Sequence, residues 1–333
     1  MFSKLAVKMA GVITSAMIVV ALAGCAQPSG PVALSGDLGT HDPAIVAAAD
    51  GHPWYVFSTG DGAVGGGNIQ IRTSEDGKFW SSLGTVWKAK PAWIEKAVPG
   101  VDNLWAPELY HHDGIWYLYY AASTFGSNHS VIALATNTTL DVNSANYKWV
   151  DKGEVIASEK SDDFNAIDPA IVEDAAGVPW MAFGSFWSGI RMVKLAWPSG
   201  LRADQGVPLR LADRGAPPNA IEGATIVPHD GEYFLIVSRD SCCQGVASTY
   251  NMAVGRSKKV TGPYLDRAGV PMLENGGTLL LKSKGSRIGP GGESYSGGYL
   301  GWHYYDANNG GAPTLAIEKL AWDSAGWPSL PAG

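Results

Sequence analysis

The sequence reads as an all-β protein, specifically a five-bladed β-propeller, and three observations carry that expectation. The 333 residues hold 42 Gly, 13 Trp and 13 Tyr but only 17% charged side chains. Glycine serves turns and aromatics serve strands, so this mix suits a turn-dense β protein able to stack ring-shaped ligands. A unit of short strand, tight turn and second strand recurs five times, and no segment shows a sustained helical apolar period with caps, which disfavours an α/β barrel.

The first element is not part of that fold. Residues 1–24 carry Lys4 and Lys8, an apolar run from Met9 to Ala23, and small residues before Cys25. A basic start, an apolar stretch too short for a comfortable membrane span and a small-residue ending mark an export signal. The ending Leu22-Ala23-Gly24-Cys25 resembles the lipobox of bacterial lipoproteins, which implies lipidation of Cys25; the alternative is an ordinary cleaved signal. Both readings place the protein outside the cytoplasm, and Ala26 after Cys25 is compatible with outer-membrane sorting. Residues 25–36 are then a tether and residues 37–333 the propeller. Removing 24 residues with their two lysines takes the chain from net −7 to −9 over 309 residues. That acidic balance disfavours nucleic acid as a partner.

The repeats follow in order. Their openings are His41-Asp42-Pro43, Ala106-Pro107-Glu108, Ile167-Asp168-Pro169, Ile221-Glu222-Gly223 and Gly291-Gly292-Glu293. Each leads to a strand of alternating aromatics and aliphatics: Trp54–Ser58, Trp116–Tyr120, Trp180–Ser185, Tyr233–Ser238 and Tyr299–Tyr304. A third strand follows in every unit, at 69–74, 131–136, 190–195, 251–256 and 315–320. Units starting at 42, 107, 168, 222 and 292 nearly exhaust the exported chain. Radial repetition leaves only short protected sheet edges, so it explains five matched antiparallel modules better than a β-sandwich does. Cys242 and Cys243 are adjacent; they are either a vicinal disulfide stiffening the Ser241–Gly245 turn or free buried thiols, and their number excludes a C-x-x-C motif or a Cys-rich zinc site.

Each unit opens with an acid at or near a matching place: Asp42, Glu108, Asp168, Glu222 and Glu293. In a propeller, equivalent positions converge on the axis. Glycoside hydrolysis needs two carboxyl groups in one cleft, one protonated to serve the leaving oxygen and one ionised to activate water or attack carbon. Repetition alone does not say which acid does what.

Taken together, His41-Asp42-Pro43, Leu104-Trp105-Ala106-Pro107-Glu108, Asn165-Ala166-Ile167-Asp168-Pro169, Phe183–Gly189, Ile221–Ala224 and Ile288–Gly291 resemble glycoside hydrolase family 43, and within it the arabinan endo-1,5-α-L-arabinanases. The resemblance spans about residues 37–322. It implies a five-bladed propeller and an inverting hydrolase in which Asp42 is the general base, Glu222 the general acid, and Asp168 orients Glu222 and holds its pKa up. It leaves Glu108 structural or peripheral and Glu293 without a role. Trp105 and Phe125 match an aromatic platform for the cleaved sugar; Gly126, Asn165, Ala166, Ile167, Ser185, Phe186 and Trp187 match segments lining the groove. Many arabinanases have a histidine after Gly-Pro-Gly, bound to a central cation, where this chain has Gly292; His303 on the next strand is the candidate for that role. A structural calcium-like ion is thus implied, although the chemistry requires no cofactor. The implied partners are arabinan or arabino-oligosaccharides and a membrane through the lipid anchor only, with the protein acting as a monomer. Many exo-acting relatives carry a β-sandwich after the propeller, for which residues after 322 leave no room, and this favours endo action. Exo-acting arabinofuranosidase or β-xylosidase activity, and a non-catalytic sugar-binding propeller, are the alternatives.

Overall fold

The structure is a computed structural model that describes residues 1–2, 33–49 and 52–331. The signal segment, Cys25 and most of the tether lie outside the described residues. The described residues from Ala33 onward form one compact unit.

Five antiparallel blades follow one another along it, and a two-stranded ribbon of Ala321–Trp322 and Pro328–Ser329 comes after the last. Blade I contains Ala44–Val46, Trp54–Ser58, Gln70–Ser74 and Phe79–Thr85. Blade II contains Leu104–His112, Ile115–Ala122, Ser130–Asn137 and Val150–Ser158. Blade III contains Ala170–Glu173, Pro179–Phe183 and Ile190–Ala196, with the short strands Leu201–Arg202 and Leu209–Ala212 both paired to the third. Blade IV contains Ile221–His229, Glu232–Arg239, Asn251–Ser257 and Thr278–Leu281. Blade V contains Arg287–Ser296, Tyr299–Asp306 and Ala312–Lys319. Among the described residues, the single α-helix is the four-residue Ile94–Ala97.

The ring closes through the start of the chain. Ser35–Gly36 pairs in parallel with Phe79–Trp80 of blade I. Directly afterwards Thr40 N–H donates to the Pro313 carbonyl at 3.1 Å, and Leu315 N–H donates to the Leu38 carbonyl at 2.9 Å. The stretch 38–40 is therefore the outer strand of blade V, supplied from the opposite end of the sequence.

The core explains why the second strands are so aromatic. Side chains alternate faces along a strand, and each face of a blade meets a different neighbour. In blade II, Leu118 and Tyr120 join a buried cluster with blade I residues such as Phe57 and Ile71, whereas Tyr117 and Tyr119 join one with Met181 and Phe183 of blade III. Further clusters bind blade III to IV, IV to V, and V to I through Ile45, Val56, Trp80, Leu315 and Ile317. Five clusters for five junctions close the circle. Most of the tryptophans and tyrosines are spent on this packing, with Trp80 and Trp302 each 1% exposed.

Candidate active site

The inner strands bring the acids together through a repeated backbone device. Each inner segment has a left-handed residue at or near its acid: Asp42 (φ 47°), Ala106 (42°), Asp168 (58°), Gly223 (58°) and Gly292 (62°). The residue before it pairs with the second strand in every blade, through His41–Thr59, Trp105–Ala121, Ile167–Gly184, Glu222–Ser238 and Gly291–His303. After it the register slips in blades II, IV and V. Such a bulge re-aims side chains. The five acids therefore do not occupy one position. Asp42 and Asp168 share the left-handed place, Glu222 stands one residue before it, Glu293 one after and Glu108 two after. Asp42, Glu108, Asp168 and Glu293 line a small central cavity with Pro43, Pro107 and Pro169.

The residue opposite, on the second strand, seals the next blade. Thr59 Oγ1 accepts from Ala106 N–H at 2.9 Å, Ser238 Oγ from Gly292 N–H at 2.9 Å, and His303 Nδ1 from Asp42 N–H at 3.1 Å. Gly223 N–H instead donates to Asp168 Oδ2 at 3.1 Å. The blade junctions and the carboxylates are thus one hydrogen-bonded system.

Within it the acids have different electrostatic fates. Asp42 receives Thr59 Oγ1 at 2.6 Å and His41 Nδ1 at 2.8 Å on the same oxygen, Oδ2. Burial alone would push this carboxyl up, but the charge and hydrogen bond of His41, with His303 and Thr59, hold it far below the ordinary range. Burial also opposes charging His41, yet Asp42 outweighs it and raises the imidazole. Glu222 moves the other way. Its Oε2 accepts from Ser185 Oγ at 2.5 Å and its Oε1 from Tyr250 OH at 2.6 Å, both favouring the ionised form. Burial outweighs them, the Asp42 charge adds to the rise, and Glu222 is held above the usual value. Asp168 is pushed up by burial and by the charges of Glu222 and Asp42. Burial and mutual repulsion thus push both Asp168 and Glu222 toward their acid forms. Burial takes Glu108 and Glu293 up to about 8. Around the axis, the surroundings of Asp42 favour its ionised form and those of Glu222 raise it, opposite directions of the kind that glycoside hydrolysis by two carboxyl groups uses.

The other expected residues separate into two groups. Phe125 is 85% exposed, Trp187 40% exposed, and Trp105 and Phe186 are half-buried. A Cβ built on Gly126 (φ 78°) would meet nothing within 4 Å. These stand where a ligand can reach them. Asn165 and Ala166 are buried, and the Asn165 amide is engaged by Ser130 Oγ at 2.7 Å, so its side chain shapes the segment before Asp168. Ile167 is 7% and Ser185 4% exposed, and Ser185 acts on Glu222. Glu108 Oε1 accepts from Ile171 N–H at 3.2 Å, tying blade II to blade III; Glu293 Oε2 accepts from Ser238 Oγ at 2.7 Å. His303 is fully buried and stacks on His41 at 3.8 Å between ring centroids. A Cβ on Gly292 would lie 2.6 Å from Asp42 Oδ1 and 2.8 Å from His303 Nδ1, so the His303 ring fills the space a side chain at 292 would need. Cys242 and Cys243 are bonded to each other. Sequence reasoning missed Thr59, Tyr250 and Tyr305. His41 was visible in its motif but had no role.

Residues 32–328 match the sequence profile of glycosyl hydrolases family 43. The chain belongs to that family. It is 42% identical to the extracellular endo-α-(1→5)-L-arabinanase 1 of Bacillus subtilis over 291 residues, 87% of each chain. It is 40% identical to the extracellular exo-α-(1→5)-L-arabinofuranosidase of Cellvibrio japonicus, over 87% of this chain and 86% of that one. Among solved structures, a family 43 endo-arabinanase from Bacillus licheniformis superposes with a TM-score of 0.83 at 39% identity, covering 89% of this chain and 99% of that one. The family 43 propeller and its glycosidase chemistry therefore extend to this protein. Overall length does not separate endo from exo, because both kinds of relative match over nearly the same span.

Proposed function

We propose that this family 43 glycosidase cuts internal α-1,5-L-arabinofuranosidic bonds of arabinan with inversion. In this reading Asp42 takes a proton from water, Glu222 protonates the leaving oxygen, and Asp168 keeps the proton on Glu222. The observation that carries it is the opposed electrostatics of the two carboxyls. His41 and Thr59 favour the ionised form of Asp42, and burial with neighbouring negative charge raises Glu222 toward its acid form. A water activated by Asp42 attacks the anomeric carbon as the bond to the departing sugar breaks and its oxygen takes the Glu222 proton. Exposed Phe125 and Trp187, with Trp105, suit the apolar faces of furanose rings.

Product sizing on linear debranched arabinan tests this. A ladder of oligosaccharides supports endo action, while monomer or a single short product from the outset supports the exo reading that the Cellvibrio relative favours. Activity on arabinoxylan alone rejects both, and proton NMR of the first products reads the anomeric configuration.

A calcium-like ion is part of the proposal. His303 is kept neutral by burial and by His41, and its Nε2 is buried without a hydrogen-bond partner. His303 with waters would hold the ion, and it would supply positive charge at the blade V to blade I junction. The leader and Cys25 support export with a lipid anchor, and the relatives described as extracellular agree with export. Loss of labelled palmitate on Cys25→Ala tests the anchor.

A further inference from the structure

The loop from Ser241 to Tyr250 connects to both carboxyls proposed for catalysis, to Glu222 directly and to Asp42 through Tyr305 and His41. Its far end supplies Tyr250, whose hydroxyl donates to Glu222. Its near end supplies the bonded Cys242–Cys243 pair, and Cys243 N–H donates to Tyr305 OH at 2.7 Å. Tyr305 OH in turn lies 2.9 Å from His41 Nε2, and His41 Nδ1 lies 2.8 Å from Asp42 Oδ2. A backbone N–H is only ever a donor, so it fixes the sense of the chain. The Tyr305 oxygen accepts from Cys243, its proton is free for His41 Nε2, and His41 Nδ1–H is aimed at Asp42. With the imidazole charged, the Tyr305 oxygen accepts from both neighbours, so the phenol serves either state.

We propose that the vicinal disulfide and Tyr305 are positioning elements for Asp42, which makes turnover by this protein sensitive to thiol reductants. Three features of the loop support this. Cys243 is left-handed (φ 66°), a conformation disfavoured for any residue with a Cβ and held here within the ring that the S–S bond closes. Cys243 is exposed and Cys242 half-buried, so a small thiol can reach the bond. The neck of the loop is held separately, because Thr249 and Tyr250 N–H both donate to the Ser241 carbonyl. Opening the bond therefore frees the Cys243 end and leaves Tyr250 on Glu222. In the reaction the Cys242–Cys243 S–S bond breaks and two S–H bonds form. A dithiol reductant supplies both electrons and both protons and is oxidised to its own disulfide.

The proposal rests on Asp42 acting as base, and the experiment separates the two ideas. Oxidised protein is assayed on debranched arabinan, then reduced with dithiothreitol until a chromogenic disulfide reagent titrates two thiols, and assayed again. The expected result is an about tenfold fall in kcat, the size of one positioning hydrogen bond lost, with KM within about twofold, reversed on reoxidation. Tyr305→Phe lowers kcat by a similar factor and makes it indifferent to dithiothreitol, since the path is already cut. The double variant Cys242→Ser/Cys243→Ser reproduces the reduced enzyme if it folds, and the wild-type reduction arm decides the matter if it does not. Reduced protein with two titrated thiols and unchanged kcat overturns the inference. Oxidised protein that releases nothing from arabinan overturns the functional reading instead.

Discussion

Replacing Tyr250 by Phe removes one hydroxyl from Glu222 and leaves the ring. The ring has little freedom to move, because a Cβ on Gly291 would lie 2.4 Å from its Cδ1, so the backbone is already packed against it. What is lost is an O–H···O bond of 2.6 Å to Glu222 Oε1. That bond stabilises the carboxylate more than the carboxylic acid, so its loss raises the pKa further above the ordinary value. A buried hydrogen bond to a charged acceptor is worth about 1.5–3 kcal/mol. At 1.36 kcal/mol per unit, and with Ser185 still in place, the expected rise is about one unit. Glu222 acts when protonated, so the alkaline limb of kcat/KM against pH, measured on linear arabinan, should move about one unit to higher pH. Near the acid limb the variant should stay within a few-fold of wild type. An alkaline limb that stays in place or moves to lower pH would refute the assignment of Glu222 as the acid.

Asp42→Asn keeps the size of the side chain but abolishes proton abstraction, and kcat should fall about 10²- to 10⁴-fold; turnover near wild type would remove Asp42 from the chemistry. Glu108→Gln tests the axis charge in folding. With the native carboxyl at about 8 and the unfolded one near its ordinary 4.5, the folded state holds an extra proton between those values, so stability falls as pH rises through that window. The glutamine, able to accept from Ile171 N–H, should melt with wild type at pH 4 and above it at pH 8. Phe183→Ala empties a fully buried site between blades II and III and should cost about 3–5 kcal/mol in denaturant titration, with the assay unchanged well below the midpoint.

How much of this was legible in the chain depends on what each residue answers to. Tyr117 to Tyr120 alternate because two different blades claim their two faces, so period-two packing wrote the repeat into the sequence. The outer strands were harder to read: Val150–Ser158 has one largely exposed half, and Leu38–Thr40 pairs with residues near the other end of the chain. The acids were visible through repetition, but their relative offsets were not, because a left-handed residue and a slipped register move Glu108 and Glu293 without any change of residue type. Thr59 and Tyr250 carry no local signature. A hydroxyl beside a carboxylate is a three-dimensional coincidence of strands that are remote in sequence.

The outer strand of blade V is among the earliest parts of the unit to be synthesised and its partner among the last. Leu38–Thr40 ends directly before His41 and Asp42, so that segment is seated only when Pro313–Leu315 has emerged. Contacts of such long sequence separation form late and slowly. The ring therefore remains open through most of translation. Until it closes, the propeller is an unsealed and still threadable chain, and the Asp42 segment gains its blade V partner only when the last blade is complete.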